Sequence, residues 1–420
     1  MGKNKKRYPE GIVLVVLALA LGGCLGPLKE APMGYLQIGG AASGRTLLPG
    51  VDEVAIMTYK VHLSGPGGTI DQNFGPAGGT IDLAPGSWNI TVKAYNDTPR
   101  LRGIAEETIT VASGSSHTIA LKTCIGVSTE ADLSAALQGT LYPRDTADGD
   151  LIVLEKDITV VPSPGGFFDV QIVTIIADPG TIRTLTTAAF RADTGGRLTL
   201  GRQGETGGLV LDGNGLDYGD AITGYASYGF LNRLGGSLTI NGNTEIKNYK
   251  NSSGNGGAIT VLNGGYLTIN GGDIHDNQNT EPSGSSYGGA IFVDGSTFVM
   301  TGGIIRDNSA IDRGGGIYCA GTSTNTIGAG VISGNSAGNG GGVYSSATNL
   351  DFNGTTISGN NAADITGIGG IYKDGGFTGN PLIGLDNVTF SGNMRNGVAD
   401  INSHRFDYNA DNDFGLIFEP

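Results

Sequence analysis

Three basic residues recur at one position of successive repeats: Lys247, His275 and Arg306. Each follows an apolar residue (Ile246, Ile274, Ile305), and Asp276 and Asp307 come one step after the last two. Carboxylates that hold Ca²⁺, beside a basic group that takes a proton, are what proton abstraction next to a sugar carboxylate needs. Lys247, His275 and Arg306 are therefore the catalytic candidates, and Asp276 and Asp307 the metal-ligand candidates. Ca²⁺ is the one cofactor this chemistry admits. The same residues equally suit a row of charged turns on a solvated edge, where they do no chemistry.

A second column is aromatic. Phe292, Tyr318, Tyr344 and Tyr372 each follow a β-branched residue: Ile291, Ile317, Val343 and Ile371. Side chains alternate along a strand. If the β-branched set faces a core, the four rings face out, and Val293 and Cys319 face in. A column of exposed rings would stack on sugar faces or on a protein partner. Alternatively the rings stack on one another and shield the backbone ladder.

The third chemical feature is Cys24. Lys3 to Arg7 form a basic stretch, Gly11 to Leu21 an apolar run too short to span a bilayer, and Leu21-Gly22-Gly23-Cys24 follows. That tetrapeptide resembles the lipobox of bacterial lipoproteins. The resemblance implies cleavage before Cys24, diacylglycerol on its sulfur and an acylated amino group. Several acyl chains anchor stably where one does not. Residues 1–23 then read as a signal peptide and 24–33 as a lipidated tether. Leu25, in place of Asp, implies by the same resemblance the bacterial outer membrane, with the chain facing the periplasm or the outside.

These columns need elements that stack them in register. The sequence supplies a repeat: Gly256-Gly257-Ala258-Ile259, Gly288-Gly289-Ala290-Ile291, Gly314-Gly315-Gly316-Ile317, Gly340-Gly341-Gly342-Val343 and Gly369-Gly370-Ile371. Interleaved with it is apolar-x-x-Asn, as in Ile274 to Asn277, Ile305 to Asn308, Ile332 to Asn335, Ile357 to Asn360 and Phe390 to Asn393. Both recur roughly every 25 to 33 residues, a solenoid spacing. One coil, Gly256 to Asn277, reads as three strands and three turns, which describes a right-handed parallel β-helix. The 75 glycines follow no collagen period and instead mark tight turns. Gly at positive φ, Asn in the left-handed region and Asn amides bonded along the axis account for both motifs without chemistry.

The two motifs resemble the GGA[IV] and FxxN repeats of polymorphic outer-membrane protein adhesins, and more broadly the pectate-lyase-like superfamily. The likeness covers residues 195–395. It implies the fold and, for the adhesins, a binding role. The short acidic signatures of galacturonan hydrolases are absent; Asn243-Thr244-Glu245 is a partial echo.

Upstream, short alternating segments between Tyr35 and Lys122 predict a small β-sandwich over 34–122. Leu83 to Tyr95 resembles a stretch of the Ig-like modules on bacterial surface lipoproteins. Trp88, the only Trp, reads as its core anchor. Residues 123–195 are the lead-in and cap of the solenoid, with a helix over Val127–Leu137 capped by Ser128 or Thr129. The β-helix runs over 196–400, and 401–420 form an acidic tail. In that tail Asp407 to Asp413 faintly resembles a Ca²⁺ loop without its turn Gly or its final Glu. Cys124 and Cys319 read as buried thiols rather than a disulfide.

The fold class is thus all-β: a parallel β-helix preceded by a small sandwich. A net charge of -14 argues against nucleic acid as a partner. The expected partners are the membrane, through Cys24, and a polysaccharide or cell-surface protein. The expected function is a lipid-anchored binding rod or adhesin. The alternative is a Ca²⁺-dependent polysaccharide lyase.

Overall fold

The computed structural model describes residues 33–38, 58–138, 150–161, 167–204, 206–216, 230–374, 382–399 and 404–406. The signal segment, Cys24, the tether up to residue 32 and the 407–413 loop lie outside the described residues. The chain is nearly all-β, with parallel sheets forming a β-solenoid of about 8 turns behind a small β domain.

In the small domain, Gly79–Leu83, Gly34–Ile38 and Ser116–Thr118 form one sheet. Gly68–Phe74, Thr58–Gly65, Gly86–Tyr95, Leu101–Val111 and Lys122–Thr123 form the other. Alternation puts Tyr59, Val61 and Leu63 against Trp88, Ile90 and Val92 in one core. Trp88 is buried, and its indole N–H donates to the Ala84 carbonyl at 2.9 Å. The sequence missed Gly68–Phe74, which pairs antiparallel with Thr58–Gly65. Its Thr, Asp, Gln and Asn side chains hide the alternation, and it lies mostly exposed.

The solenoid is built from four ladders, not three. In the coil that begins at Gly256 they are Ile259–Leu262, Tyr266–Ile269, Asp273–His275 and the two-residue Gln278–Asn279. The first three stack into sheets of nine, ten and nine strands, and the fourth into one of seven. Two residues are too few to show alternation, so the fourth ladder reads as a turn in the sequence. Across the first ladder Ile259, Ile291, Ile317, Val343 and Ile371 stand in register and are wholly buried. Leu198, Leu238, Leu267 and Phe298 do the same in the second, and Ile246, Ile274, Ile305, Ile332 and Ile357 in the third. Each buried Leu or Ile stabilises by about 1.5–3 kcal/mol, which makes these columns the main cohesive force.

The corners explain both motifs. The second glycine of the GGA[IV] motif leaves no room for a side chain: a Cβ on Gly289 would lie 2.0 Å from the Gly315 carbonyl oxygen of the next coil. The first glycine carries the turn, at φ 72° for Gly288 and 66° for Gly314. The motif asparagines differ from expectation. The left-handed residue is the one before each: Asp276, Asp307, Gly334, Gly359 and Gly392. Asn277, Asn308, Asn335, Asn360 and Asn393 point inward, buried, and bond along the axis.

The helix α1, Glu130–Leu137, is shorter than the sequence reading. Thr129 caps it, accepting from the Asp132 N–H. Residues Ile125–Val127 instead begin the ten-stranded sheet. Leu133, Ala136 and Leu137 bury against the first coils, covering a strand edge that would otherwise pair with another chain. The two domains meet over Leu101, Ile104, Cys124, Val153 and Ile176. Lys93–Asp178 at 2.7 Å and Arg100–Asp132 at 2.8 Å tie the margins.

Candidate functional site

The third ladder brings the charged candidates together. Lys247, His275 and Arg306 stand in register on successive coils, and Glu245 and Asp273 stand in the neighbouring outward column. Glu245 was missed as a partner in the sequence and is the hub. Its Oε1 accepts from Lys247 Nζ at 2.5 Å and lies 2.9 Å from His275 Nε2. The other imidazole nitrogen lies 2.7 Å from Asp276 Oδ2. Each ring nitrogen of His275 thus faces one carboxylate. Arg306 donates to Asp273 through Nε at 3.0 Å and Nη2 at 2.9 Å, and to Asp307 through Nη1 at 2.9 Å.

Electrostatics follows this wiring. Burial pushes the Glu245 carboxyl up, but the hydrogen bonds from Lys247 and His275 outweigh it and hold the group below its ordinary value. The Asp273 hydrogen bonds hold the Arg306 guanidinium still more firmly charged. Asp276 and Asp307 are each turned to a basic side chain of their own coil, His275 and Arg306. Among the described residues no group of three His, Cys, Asp or Glu side chains is arranged to hold a metal ion. One carboxylate oxygen in the cluster, Asp273 Oδ1, is buried without a hydrogen-bond partner.

The aromatic column has the expected register, and of its two readings the structure shows the second, in which the rings stack on one another. Phe292, Tyr318 and Tyr344 pair in sequence along the first ladder, with Tyr372 after them. They point away from the main core, as parity requires, yet Phe292, Tyr318 and Tyr344 are only 4%, 6% and 2% exposed. The rings stack on each other at 5.4, 5.2 and 5.0 Å between centroids, nearly parallel. Both faces of Tyr318 and Tyr344 are therefore spent, and the column forms a second, external core with Tyr287. The Tyr344 hydroxyl donates to Asp374 at 2.7 Å, and the Tyr318 hydroxyl lies 3.3 Å from Ser346 Oγ. Burial raises the Tyr344 phenol, and Asp374 adds to this.

Two residues missed in the sequence complete this face. Tyr287 stacks on Tyr318 at 4.6 Å, and the Arg313 guanidinium lies over the rings of Tyr287 and Tyr344 at 5.6 and 5.0 Å. Tyr287, Arg313 and Asn339 stand in register on three coils. The signal was present: each directly precedes the first glycine of its repeat.

Cys124 and Cys319 are free and buried. Burial pushes both thiols up, Cys319 to about 12. Among the described residues no helix is long and apolar enough to cross a membrane. Comparison with known protein families, with curated proteins and with solved structures gave no match.

Proposed function

We propose that this chain is a lipid-anchored surface protein whose β-helix rod binds a polysaccharide or cell-surface protein without transforming it. The observation that carries this reading is the state of the catalytic candidates. Lys247, His275 and Arg306 are each held by carboxylates along one continuous ladder. A general base must be free to take a proton at its operating pH. A lysine, a histidine and an arginine whose nitrogens are engaged by carboxylates in this way are poor bases. The regular ladders suit the other role, since they hold a surface rigid over many coils. The likeness of the glycine and asparagine repeats to outer-membrane adhesins agrees with it, and the lipobox-like segment ending at Cys24 supplies the anchor.

The test is incubation of the purified chain with a panel of neutral and acidic polysaccharides, with and without Ca²⁺. Retention on a polysaccharide or on cells, without new reducing or unsaturated ends, is the expected result. Product formation would reject the binder and establish the lyase. Anchoring is tested separately: labelled palmitate should enter the wild-type protein in a bacterial host and not the Cys24→Ser variant.

A further inference from the structure

Arg313 differs from Arg306 and Arg191 of the same solenoid. Arg306 is held by Asp273 and Asp307, and Arg191 by Asp169. Among the described residues no carboxylate lies within ion-pairing distance of Arg313; it hydrogen-bonds the Tyr318 side chain, and its other neighbours are rings. Tyr287 lies one coil before it and Tyr344 one coil after, each with its ring facing the guanidinium. Both rings are nearly parallel to Tyr318, which lies beside Arg313 in the same coil. Arg313 itself is only half-buried.

With a ring on either side and one hydrogen bond to Tyr318, the guanidinium offers the rest of its edge. That edge carries N–H donors in a fixed plane, the geometry that pairs with two oxygens of one anion. The stacked rings remove the rotational freedom that an exposed arginine loses on binding, so the fork is preorganised. The rings also strengthen the positive charge, which is favoured over an aromatic face. Asn339, one coil on, is held in place by accepting the Gly340 and Ile368 N–H groups at 2.9 and 3.0 Å. We infer that Arg313 is an oxyanion-recognition site on the outer face of the first ladder, reading a carboxylate, sulfate or phosphate group of the bound partner. The site deepens the binding reading above, on which it rests, by naming the chemistry that the rod recognises.

The experiment is a titration of the full chain with acetate, sulfate and phosphate, each against chloride at matched ionic strength. Near-UV circular dichroism of the tyrosines is the readout, since the stacked rings report on the guanidinium between them. A saturable change with at least one oxyanion, absent with chloride, is expected. The responding anion separates a carboxylate partner from a sulfated or phosphorylated one. Asn339→Asp keeps the oxygen that accepts both backbone N–H groups and places a negative charge beside the site. It should weaken the response roughly tenfold, and Arg313→Met should abolish it. An equal response to chloride, or an Asn339→Asp chain that titrates like wild type, would overturn the site. This titration reads no turnover. A flat titration removes the site and leaves the polysaccharide assay standing, while product formation in that assay removes the binder whatever the titration shows.

Discussion

Asn308 donates both its backbone N–H and its side-chain N–H to one oxygen, Oδ1 of Asn335, each at 3.0 Å. Asn335 does the same to Asn360, at 3.0 and 2.9 Å, and sends its other donor capacity to the Ile305 carbonyl at 3.0 Å. The amide accepts along the axis in one direction and donates in the other. Asn335→Ala would strand the Asn308 donors and the Ile305 carbonyl in a dry corner. With about 1–3 kcal/mol for each unsatisfied buried group, the expected loss is about 3 kcal/mol or more, read by urea denaturation. Asn335→Asp should fare no better, because a carboxylate cannot donate to Ile305. An Asn335→Ala chain as stable as wild type would show that the ladder is decoration.

The glycines separate into two kinds by what a methyl group would meet. Gly289→Ala would put a Cβ 2.0 Å from the Gly315 carbonyl oxygen, whereas Gly242, at negative φ, has open space around it. Overlap with backbone cannot be relieved by rotating a side chain, so Gly289→Ala should open the solenoid at that coil and lower the melting temperature sharply. Gly242→Ala should be neutral or slightly stabilising, through lost freedom in the unfolded chain. Parallel melts of the two variants check this.

These corners show what the sequence could and could not tell. Repeat spacing and alternation were enough to place Ile259, Ile291 and Ile317 in one buried column, because burial is set by parity along a strand. They were also enough to align Phe292 with Tyr318. Alternation alone left open whether those rings face solvent or one another, because that depends on what neighbouring coils lay over them. Tyr287 and Arg313 do that from a turn, where parity has no meaning. The charged column was legible as a list of residues. Its wiring through Glu245 was not, since Glu245 meets His275 only across a coil boundary. The missing fourth ladder has the same origin: pairing between coils, not local pattern, makes Gln278–Asn279 a strand.

The Glu245 hub predicts an acid-dependent loss. Its carboxyl in the fold lies below its ordinary value of 4.5, so as pH falls the unfolded chain takes up this proton first. The stabilisation is therefore whole above about pH 5 and fades as pH drops through the folded value. The side chain is 32% exposed, and solvent screening keeps the contribution under about 1 kcal/mol. Glu245→Gln should melt slightly below wild type at pH 7, and the gap should narrow as the pH falls below the ordinary carboxyl value of 4.5. A gap that does not narrow with falling pH would point to packing instead of charge.

Cys124 and Cys319 should behave as buried thiols. Both are free, buried and raised in pKa by that burial, and only the thiolate attacks a disulfide reagent. A chromogenic disulfide should label neither at pH 8 in the native chain, and both in denaturant. Rapid native labelling of Cys319 would mean that the coil carrying Tyr318 opens readily.

Tyr344 provides the sharpest separation between a binding platform and a packed column. Its ring is stacked on both sides and its hydroxyl bonds Asp374. Removing the hydroxyl alone, as Tyr344→Phe, loses one charge-assisted hydrogen bond and should cost about 1.5–3 kcal/mol. Tyr344→Ala opens a cavity between Tyr318 and Tyr372 and should cost about 3–5 kcal/mol. It also removes one of the two rings that flank the Arg313 guanidinium. If the ring served only as a platform, the alanine variant would bind less while melting like wild type. The packed column predicts the opposite order, with stability lost first and partner binding following it. Melting curves and partner binding measured on the same three chains decide between them.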